Sequence, residues 1–119
     1  MAPDAMAACS DQAAPNIDWS DCDKSGEGLR GADLTNADLS GAVLLYARIS
    51  DADLSGADLT NADLRGAQVR GSNLTGAKLS GADLTSADMT NVDLIDADLS
   101  GATWTDGRTC ADGSRGSCD

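Results

Sequence analysis

Apolar residues recur along this chain every five positions, a spacing that fits neither the roughly 3.6-residue period of a helix nor the strict alternation of a strand. From Ala32 to Asp106, fifteen consecutive units follow a pattern close to Ala-Asp-Leu-Ser/Thr-Gly/Asn. The run opens with Ala32-Asp33-Leu34-Thr35-Asn36 and closes with Ala102-Thr103-Trp104-Thr105-Asp106. Repetition of this kind settles architecture before any other signal. Within a unit the Ala and the central apolar residue lie two apart, so a locally extended backbone points both inward and the Asp between them outward. Ser, Thr, Asn and Gly then suit a corner, because Gly tolerates unusual torsions and the others hydrogen-bond nearby backbone. A corner every five residues closes the chain into a coil, and successive coils must stack.

The central positions hold medium aliphatics almost throughout, and the chain contains no Phe. Their partners are nearly all Ala, with Ser72 and Val92 as exceptions. A narrow tube filled with Leu and lined with Ala follows. The A(D/N)LXX units resemble the pentapeptide-repeat proteins. That resemblance implies an all-β fold, a right-handed quadrilateral β-helix of about 4–4.5 coils, with one unit per side and about twenty residues per coil. Leu34, Leu54, Leu74 and Leu94 would then stack on a first face, and Leu39, Leu59, Leu79 and Leu99 on a second. Leu44, Leu64, Leu84 and Trp104 would form a third, and Ile49, Val69 and Met89 a fourth. Hexapeptide β-helices, nonapeptide rolls and leucine-rich repeats all require a different period.

Before the regular run the register continues in degraded form through 17–31, so the β-helix is expected over 17–106, with a regular part at 32–106. Residues 1–16 are read as an N-terminal extension and cap, and 107–119 as a C-terminal cap. Terminal units of a repeat stack must close the core against water. Trp19 and Trp104 fall on the central register near opposite ends and are expected to plug the tube. The four cysteines form two local pairs, Cys9 with Cys22 and Cys110 with Cys118, each outside the regular run. The rod would separate crossed partners, so two end-stapling disulfides are expected, with periplasm, lumen or the extracellular space as the compartment. Met1 to Ala7 has no basic region followed by an apolar core and is read as a vector-derived remnant in place of an export signal.

At 119 residues the chain fits a single domain, and its net charge is −12. All but one (Glu27) of its 20 acidic residues are Asp. Nine of them recur in the slot before the central residue of the regular units, where stacked coils would bring like charges together. Lys78, between Asp58 and Asp98, relieves one such column. With no His, a Ser or Cys nucleophile lacks its usual base, and outward carboxylates on a convex rod lack an enclosed cleft, so neither enzyme activity nor a cofactor is expected. No basic stripe suits nucleic acid, and no apolar stretch suits membrane insertion. Asp21, Asp23 and Ser25 match the opening of an EF-hand loop, but Ala32 stands where the bidentate Glu belongs. No metal is therefore assigned, and these three remain a weak Ca²⁺ candidate.

Departures from the repeat are the best pointers to specificity. Val43, Leu45 and Tyr46 occupy outward slots, and with Arg48, Arg65 and Arg70 they would make an apolar and cationic patch on an acidic rod; Ile95 is a similar substitution. The reading is thus a monomeric, exported, non-enzymatic structural or protein-binding module whose partner the sequence does not name. Two rivals stand beside it. One is a DNA-mimicking effector of DNA gyrase, as the resemblance allows for acidic members. The other is a calcium-dependent extracellular module.

Overall fold

The computed structural model describes residues 8–119, so the vector-remnant reading of Met1 to Ala7 lies outside the described residues. Every parallel bridge joins residues twenty apart, from Asp18–Asp38 to Asp83–Thr103. The chain therefore winds as the right-handed quadrilateral β-helix that the family resemblance implies. The four faces carry the expected columns, and the degenerate units at 17–31 pair in the same register through Asp23–Val43 and Gly28–Arg48.

The unit at 52–56 shows how the backbone is satisfied. The N–H of Asp53 donates to the Ala32 carbonyl of the preceding coil at 2.9 Å. The N–H groups of Leu54 and Gly56 donate to Asn73 and Thr75 of the following coil at 2.7 and 2.9 Å. The Ala57 N–H closes the corner onto the Leu54 carbonyl at 3.0 Å. Each corner places its third residue at positive φ, as a type II turn requires; Gly56 sits at φ 69° and Asn36 at φ 58°. One N–H per unit, that of Ser55, has no backbone partner.

Inside, the Leu columns and the Ala row form one continuous buried cluster from Trp19 to Cys118. Ser72 replaces an Ala without leaving a bare hydroxyl: its Oγ donates to the Ile49 carbonyl and accepts from the Ala52 N–H.

The two ends close differently. At the N-terminal end Trp19 is fully buried, its indole N–H donates to the Ala8 carbonyl at 2.8 Å, and Cys9–Cys22 ties the extension across it. Lys24 occupies a central position of the third face and is buried. Its Nζ lies 4.0 Å from the Trp19 ring centroid and donates to the Cys9 carbonyl. At the other end the chain turns after Trp104 and runs back antiparallel, with bridges Thr103–Thr109 and Asp98–Arg115. Cys110–Cys118 staples this return segment. Trp104 lies at the rim, only partly buried; Met89, Val92 and Leu94 are partly buried as well, because the return segment pairs with the second and third faces and leaves the ends of the first and fourth uncovered.

Candidate functional site

The acidic columns do not stand free in solvent as the outward slot suggests. Each carboxylate folds along its own side and accepts the one N–H that the backbone leaves over. Asp53 Oδ1 accepts from the Ser55 N–H at 3.0 Å and from its hydroxyl at 2.7 Å. Asp38 with Ser40, Asp83 with Thr85 and Asp88 with Thr90 repeat the arrangement, and Asn73 does the same for Thr75 with a neutral amide. These bonds favour the ionised form and hold the carboxyls of Asp18, Asp23 and Asp88 below their ordinary range, the neighbouring hydroxyl being the largest cause. The commonest charged group of the chain is thereby part of its scaffold.

The EF-hand-like residues take ordinary places in this scheme. Asp21 sits on a corner at φ 57°, and Asp23 Oδ1 accepts from the Ser25 N–H and hydroxyl at 3.0 and 2.7 Å. Among the described residues, no cluster of three or more His, Cys, Asp or Glu could hold a metal ion. No helix among them is long and apolar enough to cross a membrane.

The third face departs from the scheme. Val43 stands in the acidic slot, bridged to Asp23 and Asp63, with Leu45 two residues further on and Tyr46 at the corner. Tyr46 is held at φ 56° and is 70 % exposed, its ring lying where a side chain on Gly66 of the next coil would project. The other non-glycine residues at positive φ among those described are all Asn, Asp or Ser. Arg65, one coil beyond Leu45, forks onto Asp63 at 2.9 and 2.8 Å, and that hydrogen-bonded pair raises its already high pKa. Val43, Leu45, Tyr46 and Arg65 therefore meet on one face and its corner, while Arg70 lies on the fourth face. Arg48 lies beyond that corner on the fourth face, and Ile95 lies on the first face, away from the rest.

The fourth face holds an open cleft of about 690 Å³, lined by Arg30, Arg48, Arg70, Ser50 and Gln68 among others. Arg30 and Gln68 were absent from the sequence-derived patch. Folding the repeat numbers at twenty per coil would have found them, because Arg48 and Gln68 share one column and Arg30, Ser50 and Arg70 share another.

The family model for pentapeptide repeats matches the chain in eight copies over residues 29–61 and 62–101. No curated protein matches it. Among solved structures, a pentapeptide repeat protein from the Arabidopsis thaliana thylakoid lumen is 30 % identical, covering 89 % of this chain and 83 % of its own, with a TM-score of 0.49. HetL, involved in heterocyst differentiation regulation in the cyanobacterium Nostoc, is 32 % identical over 76 % of this chain and 52 % of its own, with a TM-score of 0.44. QnrB1, a plasmid-mediated fluoroquinolone resistance protein, is 22 % identical over 78 % of this chain and 55 % of its own, with a TM-score of 0.52. The chain thus spans about half the length of the last two.

Proposed function

This chain belongs to the pentapeptide-repeat family, and from that premise we propose that it is a non-catalytic recognition module of an oxidising compartment, binding a protein partner through its third face. The observation that carries the reading is Tyr46. A bulky side chain in left-handed backbone costs about 1–2 kcal/mol relative to Gly, and such strain collects at functional positions. Here it holds an exposed aromatic ring beside Leu45 and Val43, with Arg65 fixed by Asp63. An aromatic flanked by aliphatics on a rigid surface is the kind of anchor that protein interfaces use. The two disulfides support a periplasmic, lumenal or secreted setting, since such bonds persist where the medium is oxidising. The module is proposed to act as a monomer, with no cofactor. Gyrase mimicry finds less support: the apolar strip interrupts the acidic surface that imitation of DNA would need, and the likeness to QnrB1 concerns the fold.

The test is the double variant Leu45→Ser/Tyr46→Asn, with the oxidised wild-type chain as reference. Both changes restore residues common in the repeat, so the variant should fold at least as well, which circular dichroism checks. In affinity capture from the oxidising compartment of the source cell, the wild type is expected to retain a reproducible partner that the variant loses. Equal retention by both proteins sinks the reading.

A further inference from the structure

We propose that the fourth face binds a compact oxoanion, held by the guanidinium groups of Arg30, Arg48 and Arg70 and by the backbone N–H groups of Arg30, Ser50 and Arg70. The inference is independent of the partner surface on the third face. Its basis is the place of the missing carboxylate. In most other units of the rod an Asp or Asn side chain takes up the one N–H that lacks a backbone acceptor, as Asp53 does for Ser55 and Asn73 for Thr75. Where Val43, Lys78 and Thr103 hold that slot, the N–H groups of Leu45, Ser80 and Thr105 are left over too, but their neighbours in the column are Asp-capped and none adjoins another. On the fourth face the residues in that slot are Gly28, Arg48 and Gln68, and none of them accepts from the N–H two positions on. Among the described residues, the N–H groups of Arg30, Ser50 and Arg70 find no acceptor in the protein. Three donors thus stand one above another at roughly 5 Å intervals, the rise of one coil. The regular pattern returns only at Asp88, which accepts from Thr90.

The side chains around these donors have the matching charge. Three of the eight basic residues of a chain with net charge −12 gather on this one face. Arg48 and Arg70 have no carboxylate within 4.0 Å among the described residues, whereas Arg65 on the next face is forked at 2.8 Å. Arg30 reaches only Asp51, at 3.8 Å, with both side chains largely exposed. Guanidinium groups from successive coils repel one another unless an anion lies between them, and their planar fork suits a carboxylate or a phosphate. Gly28 leaves room for such a guest. It is not at positive φ, and a Cβ built on it would meet nothing within 4 Å, so the fold does not require a glycine there.

Size and charge narrow the ligand. The cleft, at about 690 Å³, falls in the range of small-molecule sites. Asp51 lines it, and Asp88 attracts Arg70 from beside it, so the local positive charge is small. A long polyanion would leave this face for the acidic columns on either side and be repelled there. A compact organic phosphate or a short dicarboxylate would not. Both place oxygens where the Asp carboxylate sits on the other faces.

The experiment is a titration of the full oxidised chain, labelled with ¹⁵N, at constant ionic strength. The probes are inorganic phosphate, glycerol 3-phosphate and succinate. Expected are saturable shifts of the Ser50 and Arg70 amides and of the Arg48 and Arg70 Nε–H signals, with Kd about 1 mM or tighter for at least one probe. Saturation by the phosphates alone assigns phosphate chemistry, and by succinate alone carboxylate chemistry. Arg48→Gln/Arg70→Gln should weaken binding about tenfold or more. Gln68→Asp returns a carboxylate to the Arg70 N–H; it should keep the coil intact and compete with the ligand from within, weakening binding as well. Arg115→Gln, at the C-terminal return segment, should leave binding unchanged. If no probe saturates these signals by about 20 mM, if Arg115→Gln weakens binding as much as the double variant, or if Gln68→Asp leaves it untouched, the proposal is wrong.

Discussion

At most corners the slot before the central residue carries an acceptor, because the unit has five N–H groups and the backbone supplies partners for four. Asp53 serves the fifth with Oδ1, and Asn73 does so with an amide at the same distance of 3.0 Å. The geometry therefore needs an oxygen there and not a charge. Asp53→Asn is expected to leave the melting temperature at neutral pH within about 2 °C of wild type, read by circular dichroism. Acid should separate the two proteins. The folded-state pKa of Asp53 is lowered, first by the Ser55 N–H and then by its hydroxyl. Its contribution is complete above the unfolded value of about 3.9 and is lost as pH falls through the folded one. Below about pH 4 the variant should lose less stability than wild type. Tyr46 poses the opposite case, a residue that the local backbone disfavours. Tyr46→Asn should raise the melting temperature by several degrees, about what 1 kcal/mol gives in a domain of this size. A lower melting temperature would show that the ring's packing over Gly66 outweighs the strain.

The coil is the element of this structure, and what its sides contribute depends on their place in the stack. Leu64 is buried among coils on both sides, while Leu94 on the last coil is only partly covered. Leu64→Ala should cost about 3 kcal/mol, since the surrounding columns relax little around the cavity; Leu94→Ala should cost about 1 kcal/mol. Urea midpoints give both numbers, and equal losses would contradict the graded burial. The period of five was legible in the numbering alone; the twenty-residue coil came from the family resemblance, and with it the membership of each column was fixed, because register leaves no freedom once the corners are set. The ends were legible in part. Trp19 and the two Cys pairs could be placed, but Lys24 could be found only by extending the register backwards into units that have lost the consensus. Nothing in the spacing said that an ammonium would settle over Trp19 and the Cys9 carbonyl. Trp104 has the same register position as a plug, yet the return of the chain after it leaves it at the rim.

For the molecule as a whole, the net charge of −12 is spread over a rod whose carboxylates are fixed in place by their corners. Self-repulsion among them is the one large term that salt can relieve, with a screening length of about 10 Å at 0.1 M. Raising sodium chloride from about 0.01 M to about 0.5 M should therefore increase the melting temperature. A flat response would mean that the corner bonds and the bridging cations, such as Lys78 between Asp58 and Asp98, already neutralise the columns.

A period of five and the residue types at each step were enough to indicate a stacked coil with an aliphatic interior, since both follow from local sterics repeated without interruption; that the coil has four sides came from the family resemblance. They could not say which outward side chains would share a face. That depends on contacts twenty residues apart, which gather Val43, Leu45, Tyr46 and Arg65, send Arg48 round the corner and Ile95 to another side, and bring Arg30 and Gln68 to Arg48 and Arg70. Nor could they say that the acids would turn back onto their own backbone, because the demand for that bond arises only once the coils have stacked and every other N–H has been taken.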